Sequence, residues 1–219
     1  MADAVKVFFL IITALFPIVD PLTGAPIFLA LTGGYLPETR KILSRKVAIN
    51  SFYLMLASYF IGTHVLGFFG VSLPVVQVGG GLVVAATGWK MLTQKDEERD
   101  ATRGVQPQDV DGQAFYPLTL PLTVGPGSIS VAITLGANST HRYGVNILMI
   151  VAAIISIALI ALSIFLCYVF ADNLVRVLGK TGTTVTIRLS SFLLVCIGVQ
   201  IMWNGLSTLL SSVQIHAIR

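Results

Sequence analysis

Apolar residues run along this chain in long blocks, and the polar residues gather between the blocks. Segment 1 covers about Ala4 to Leu31, and from Val47 to Trp89 no Asp, Glu, Lys or Arg appears at all. That second run is too long for one membrane span and suits two. Gly67 to Pro74 punctuates it, giving segment 2 (about Val47 to Phe69) and segment 3 (about Leu73 to Leu92). Segments 4 (about Ala114 to Gly136), 5 (about Val145 to Phe170) and 6 (about Leu189 to Leu210) follow. Apolar stretches of this length match a hydrocarbon core of about 30 Å. The pattern predicts an all-α polytopic membrane protein with six transmembrane segments.

Segment 1 is interrupted where a membrane helix tolerates it least. Pro17, Pro21, Pro26, Gly24 and the carboxyl group of Asp20 fall within eleven residues, Phe16 to Pro26. As one straight helix the segment would be about 42 Å long, so a break resolves an excess of length. Each proline removes a backbone donor and clashes with the preceding turn. Irregular backbone survives at membrane depth only where protein or a wet cavity covers it. Two half-helices meeting near the midplane, with Thr23 and Gly24 unwound between them, are the expectation. Gly33, Gly34 and Pro37 then end the segment, and Glu38, Arg40, Lys41, Arg45 and Lys46 read as a charged loop.

The interruption occurs twice. Phe16, Pro17, Pro21, Leu22, Thr23 and Pro26 line up without a gap on Tyr116, Pro117, Pro121, Leu122, Thr123 and Pro126. Segments 3 and 6 also match, Val83 to Gly88 against Leu193 to Gly198. Each half therefore reads as a broken span, a plain span and a span with small residues, which let helix backbones approach closely. The domains follow: residues 1–92 as a first three-helix repeat, 93–113 as a hydrophilic cytoplasmic linker holding six of the ten acids, and 114–219 as a second repeat. An odd number of spans per half puts the second half upside down relative to the first, the inverted-repeat plan of many secondary transporters.

Charge orients this plan. The connections after segments 1, 3 and 5 carry eleven Lys and Arg residues, against Lys6, Arg142 and Arg219 on the other side. Positive charge stays in the cytoplasm, which places both termini outside it. Were segments 1 and 4 re-entrant hairpins, the same charges would place both termini inside. Full spans are favoured because segment 1 is short for descending and returning.

Composition agrees. Of 219 residues, 55% are hydrophobic and 11% charged, and the mean hydropathy is +0.85. A soluble domain carries about 25% charged residues. The net charge of +4 sits in the connections and does not suggest nucleic acid. Cys167 and Cys196 lie inside apolar segments and read as small hydrophobes. No Cys/His spacing suggests a metal, and no cofactor is expected. The N-terminal run lacks a small-residue cleavage site and reads as retained.

Three stretches together resemble the MarC family of bacterial inner-membrane proteins. They are Phe16-Pro17 with Asp20-Pro21, Gly24 and Pro26; Pro117 and Pro121 with Gly125-Pro126-Gly127 and Ile129; and Arg188 with Phe192 to Gln200. The resemblance covers essentially the whole chain, and the Gly-Pro-Gly and segment 6 runs are its more specific parts. The family motif carries Asn or Asp at the place of Asp20. The resemblance implies a transporter in the inner membrane, with some members linked to small neutral amino acids such as alanine and glycine.

Two broken helices offer two kinds of ligand. Half-helix N-termini present free N–H groups and a positive dipole end to an anion, and unwound carbonyls suit a cation or an ammonium group. The candidate substrate residues are Asp20, Pro21, Thr23, Gly24, Pro121, Thr123, Gly125, Pro126, Gly127 and Ser128. A zwitterionic solute fits such a pair of helix ends, with Asp20 holding the ammonium or taking up a coupling H+ or Na+. No P-loop points to ATP. An intramembrane enzyme needs paired catalytic groups, and only Asp20 lies deep in a segment; Asp172 stands at a segment end. A channel or a structural membrane partner is the other alternative. His64 reads as a helix-end residue near headgroups. Asn50, Gln77, Gln200 and Asn204 each read as interhelical hydrogen-bond partners.

Overall fold

The computed structural model describes residues 2–93, 110–143 and 146–217, and all regular structure among them is helical. Most of the expected linker (94–109) and the C-terminal Arg219 lie outside the described residues. Segment 1 forms α1 (Ala2–Val19) and α2 (Pro21–Leu31). α3 (Pro37–Phe68) and α4 (Leu73–Thr93) follow, joined by a tight turn in which Gly70 has φ 67°. The end of the expected linker forms α5 (Val110–Gln113), and segment 4 forms a π-helix (Ala114–Thr123) and α6 (Pro126–Tyr143). α7 (Ile147–Val169) and α8 (Ala171–Ala217) complete the chain.

Five helical stretches are long and apolar enough to cross a membrane: Asp3–Leu29, Pro37–Phe68, Leu73–Thr93, Ile147–Val169 and Thr181–Ser211. They correspond to segments 1, 2, 3, 5 and 6. Segment 4 is missing from this set because its prolines divide it. The π-helix has 10 residues, and α6, with 18, ends in the polar run Ser139-Thr-His-Arg142.

Four local expectations change. The first break is confined to Asp20, and Thr23 and Gly24 are helical in α2. The cause is local: Asp20 caps the new helix and Pro21 opens it, the position where a proline costs least. The break is also off centre, because α1 has 18 residues and α2 only 11. At about 1.5 Å per residue α1 alone reaches about 27 Å. The charged stretch Glu38 to Lys46 is not a loop but the first turns of α3, again opened by a proline, Pro37. Lys and Arg are good helix formers, so charge by itself does not end a helix that leaves the hydrocarbon. Likewise the Gly/Thr stretch between Lys180 and Arg188, whose composition suggests a loop, is part of α8, in which the departure from helical geometry is Gly179 at φ 66°.

Pairs of contacts fix the directions of the helices. The Ser156 hydroxyl lies 3.2 Å from the Phe8 carbonyl, and Gly24 abuts Tyr168, so α1 and α2 advance together along α7. Tyr35 bonds Gln113, and Gly136 abuts the Tyr59 carbonyl, so segment 4 advances in step with α3. α4 and α8 make the most extensive pairing and run antiparallel. A Cβ on Gly81 would meet Met202 N at 2.5 Å, one on Gly88 would meet Ser191 O at 2.7 Å, and one on Gly205 would meet Pro74 O at 2.6 Å. Backbones this close leave room for hydrogen only. The buried apolar core lies elsewhere, among α1, α2, α3, α6, α7 and the π-helix, with Ile11, Leu15, Phe28, Met55, Ile157 and Ile164 at its centre.

Candidate functional site

Asp20 is the only non-glycine residue with positive φ among the described residues, at φ 40°, ψ 64°. Asp tolerates this region better than most residues because its short side chain can bond locally. Here its N–H donates to the Phe16 carbonyl (2.9 Å), its carbonyl accepts from Gly24 N–H (3.0 Å), and its Oδ1 accepts from Thr23 N–H (3.3 Å). One residue thus ends α1 and starts α2. Leu120, which aligns with Asp20, has no group with which to cap, and the second break takes another form. Tyr116 (φ −124°, ψ 122°) and Leu120 (φ −109°, ψ 129°) are extended. Each precedes a proline, whose ring disfavours helical backbone at the residue before it. The Tyr116–Pro117 bond is cis. The hydroxyls of Thr119 and Thr123 donate to the carbonyls of Ala114 and Leu118 (2.7 Å each), following the wide π-helical turn.

The two breaks meet at Tyr168. Its hydroxyl lies 2.8 Å from Thr123 Oγ1. Thr123 has one proton and gives it to Leu118, so Tyr168 is the donor of that bond. On its other side Tyr168 faces Gly24, where a Cβ would lie 2.7 Å from the phenolic oxygen. The ring stacks on Phe28 at 4.5 Å between centroids and 15° between planes. Tyr168 and Phe28 are 2% and 0% exposed. The Asp20 carboxylate stands near enough to act electrostatically on both Tyr168 and Cys167. Thr23 is buried in the same turn, and its hydroxyl has no hydrogen-bond partner.

The expected site residues therefore divide. Asp20, Pro21, Thr23 and Gly24 gather at the first break, and Thr123 joins them through Tyr168. Pro121 lies within the π-helix. Gly125 is partly buried, and its carbonyl accepts from Ile129 N–H (3.2 Å) and from the Ser128 hydroxyl (2.9 Å). Gly127 turns the other way and packs on Val84 of α4. Pro126 opens α6 and lines an apolar cleft of about 380 Å³ between α4 and α6, with Val75, Val76, Gly80, Ile129 and Ser130. Tyr168 and Phe28 were not among the expected residues. The signal for Tyr168 was present: it is the one tyrosine in the aliphatic segment 5, and a buried tyrosine hydroxyl finds a partner.

Asp172, the other carboxylate weighed for a catalytic pair, is engaged elsewhere. It forms an ion pair with Arg40 at 2.8 Å, a few residues beyond Tyr168. Together with the Tyr35–Gln113 hydrogen bond this ties the connections after segments 1, 3 and 5 to one face. Among the described residues no three His, Cys, Asp or Glu side chains stand together as a metal site. His64 is exposed near the end of α3. Gln200 bonds Asn204 within α8 rather than across helices, at 3.0 Å. Both cysteines are free.

The model of the MarC family of integral membrane proteins matches residues 5–210. The chain belongs to the MarC family. An inner membrane protein MarC of Salmonella typhimurium strain LT2 is 34% identical over 215 residues, covering 94% of this chain and 96% of the relative. The corresponding Citrobacter koseri protein is 31% identical over the same share of each. A membrane protein of Archaeoglobus fulgidus is 29% identical over 218 residues, 98% of this chain and 99% of the relative. No solved structure matches. The MarC family resemblance read from the proline and glycine motifs is borne out, and the protein is a multi-pass inner membrane protein.

Proposed function

We propose that this MarC family protein is a secondary transporter of small solutes, with small neutral amino acids as the substrate class. The observation that carries the reading is the convergence of the two broken stretches, distant in sequence, on one buried tyrosine beside an intramembrane carboxylate. Discontinuous helices meeting at a polar point between two halves are where transporters of this plan bind their cargo. The solute sits beside Asp20, Pro21, Thr23, Gly24 and Thr123, with the N-terminus of α6 (the Gly125–Ser128 run) supplying N–H groups. Asp20 handles a coupling H+ or Na+.

Six crossings as two inverted three-helix repeats are part of the same proposal. α4 and α8 run antiparallel. The chain between them must then return to the face it left. α7 crosses once, so segment 4 crosses as well, although no piece of it qualifies by length and composition. The contacts that make segment 1 advance along α7 and segment 4 along α3 support this, since a hairpin would double back. The inverted relation is further supported by the glycine contacts. Gly88 sits on Ser191 and Val195, and Gly198 sits on the aligned Gly81 and Ala85. With the basic connections in the cytoplasm, both termini lie outside it.

The test is uptake of labelled alanine and glycine by the purified protein in liposomes, with and without proton and sodium gradients. Saturable uptake that needs a gradient is expected. Unsaturable ion flux would make the protein a pore, and no uptake by folded protein under any gradient would leave it a structural partner.

A further inference from the structure

The two breaks differ in how their polar groups are satisfied. The second closes on itself. Val124 N–H donates to the Thr119 carbonyl (2.9 Å), Ile129 N–H and the Ser128 hydroxyl to the Gly125 carbonyl, and both threonine hydroxyls to carbonyls of the preceding turn. The first leaves acceptors over. Residue 21 is a proline, so no N–H reaches back to the Pro17 carbonyl. The Thr23 N–H, which in an unbroken helix would bond the Val19 carbonyl, goes to Asp20 Oδ1 instead. The Thr23 hydroxyl is 1% exposed and unpartnered. Asp20 has no cationic partner either: the ion pairs among the described residues are Lys6–Asp3 and Arg40–Asp172. Oxygen atoms short of donors thus accumulate at one point of a membrane segment, where a bound group can take the place of water.

We infer that the first break is a sodium site, formed by the carbonyl oxygens of Pro17 and Val19, the Asp20 carboxylate and the Thr23 hydroxyl. Pro17, Val19 and Asp20 stand at the C-terminal, partly negative end of α1, and Thr23 follows in the first turn of α2. All are hard oxygen ligands. A single carboxylate among neutral oxygens balances a monovalent ion, whereas calcium sites gather several carboxylates. The left-handed turn at Asp20 has a use in this arrangement, since it turns the carboxylate onto the Thr23 N–H and so leaves the Val19 carbonyl without that donor. This inference rests on reading the first break as the working half of the transport site, and it assigns sodium as the ion that couples there.

Binding is measured on the full chain in lipid nanodiscs, without any solute, by uptake of radiolabelled sodium and by melting temperature. Sodium, potassium and N-methylglucamine chlorides are compared at equal ionic strength. Saturable sodium binding, with a melting temperature raised by sodium alone, is the expected result. Asp20→Asn keeps an acceptor for Thr23 N–H and so preserves the cap, yet weakens sodium binding about tenfold or more. Thr23→Val keeps the shape, removes one ligand and weakens binding to a lesser degree. Equal stabilisation by potassium, stabilisation by acid or by glycine in the absence of sodium, or unchanged binding in Asp20→Asn each overturns the assignment. Sodium binding without solute uptake would defeat the transporter reading and leave this site standing; uptake without sodium binding would do the reverse.

Discussion

Tyr168 gives its proton to Thr123, fills the space that a side chain at Gly24 would need, and stacks on Phe28. Tyr168→Phe removes only the hydroxyl. Thr123 keeps its own bond to Leu118, so no buried donor is orphaned, and the loss of stability should be about 0.5–1.5 kcal/mol. Solute affinity should fall while the circular dichroism spectrum stays helical; unchanged uptake kinetics would remove Tyr168 from the site. Gly24→Ala tests the same point from the other side. Its new methyl group would stand 2.7 Å from the phenolic oxygen, and the stacked ring has little room to retreat. Overpacking of this kind costs about 1–3 kcal/mol. Uptake should drop further than in Tyr168→Phe, as read in the same liposome assay.

At the scale of elements, α4 and α8 are held by glycines rather than by a hydrophobic core. In a bilayer lipid tails are as apolar as leucine, so close packing has to supply the attraction. A Cβ at Gly198 would meet backbone on both sides, Ala85 N and the Gly81 carbonyl oxygen at 2.6 Å. Backbone cannot give way as a side chain can. Gly198→Leu should therefore separate the pair and abolish the folded protein, seen as loss of the cooperative melt in detergent. Gly79, on α4, has nothing within 4 Å of an added Cβ. Gly79→Ala should be neutral, or stabilising by about 0.5–1 kcal/mol through helix propensity. A melt unchanged by Gly198→Leu would mean that this pairing does not hold the molecule together.

For the whole molecule the deciding question is which connections share a face. The Arg40–Asp172 ion pair and the Tyr35–Gln113 bond gather the connections after segments 1, 3 and 5. Single cysteines placed in a cysteine-free background at Leu36, Thr93 and Arg176 should react with an impermeant maleimide only from the cytoplasmic side. Those at Gly70 and Asn146 should react only from the opposite side. Labelling of positions 93 and 146 from one and the same side would mean that segment 4 turns back, and the inverted-repeat proposal would fail.

The membrane class, the family and the position of most segments were legible in the sequence, because each is a matter of local chemistry. Val47 to Trp89 without a charge, and the paired proline motifs, need no partner to be read. α4 and α7 fall within two residues of their expected bounds for this reason. Local chemistry also explains where sequence and structure differ. The charge of Glu38 to Lys46 suggests a loop, although these residues form helix readily once Pro37 starts it. The composition around Thr23 and Gly24 suggests an unwound stretch, although Asp20 caps the next helix by itself. Tertiary structure alone decided what the motifs do together. That Gly127 packs on Val84 while Gly24 faces Tyr168 depends on which helix arrives at each glycine. That Asp172 pairs with Arg40 depends on the first turns of α3 and α8 meeting at one face. No spacing within the chain encodes such arrivals, because they are set by the packing of segments far apart in the sequence.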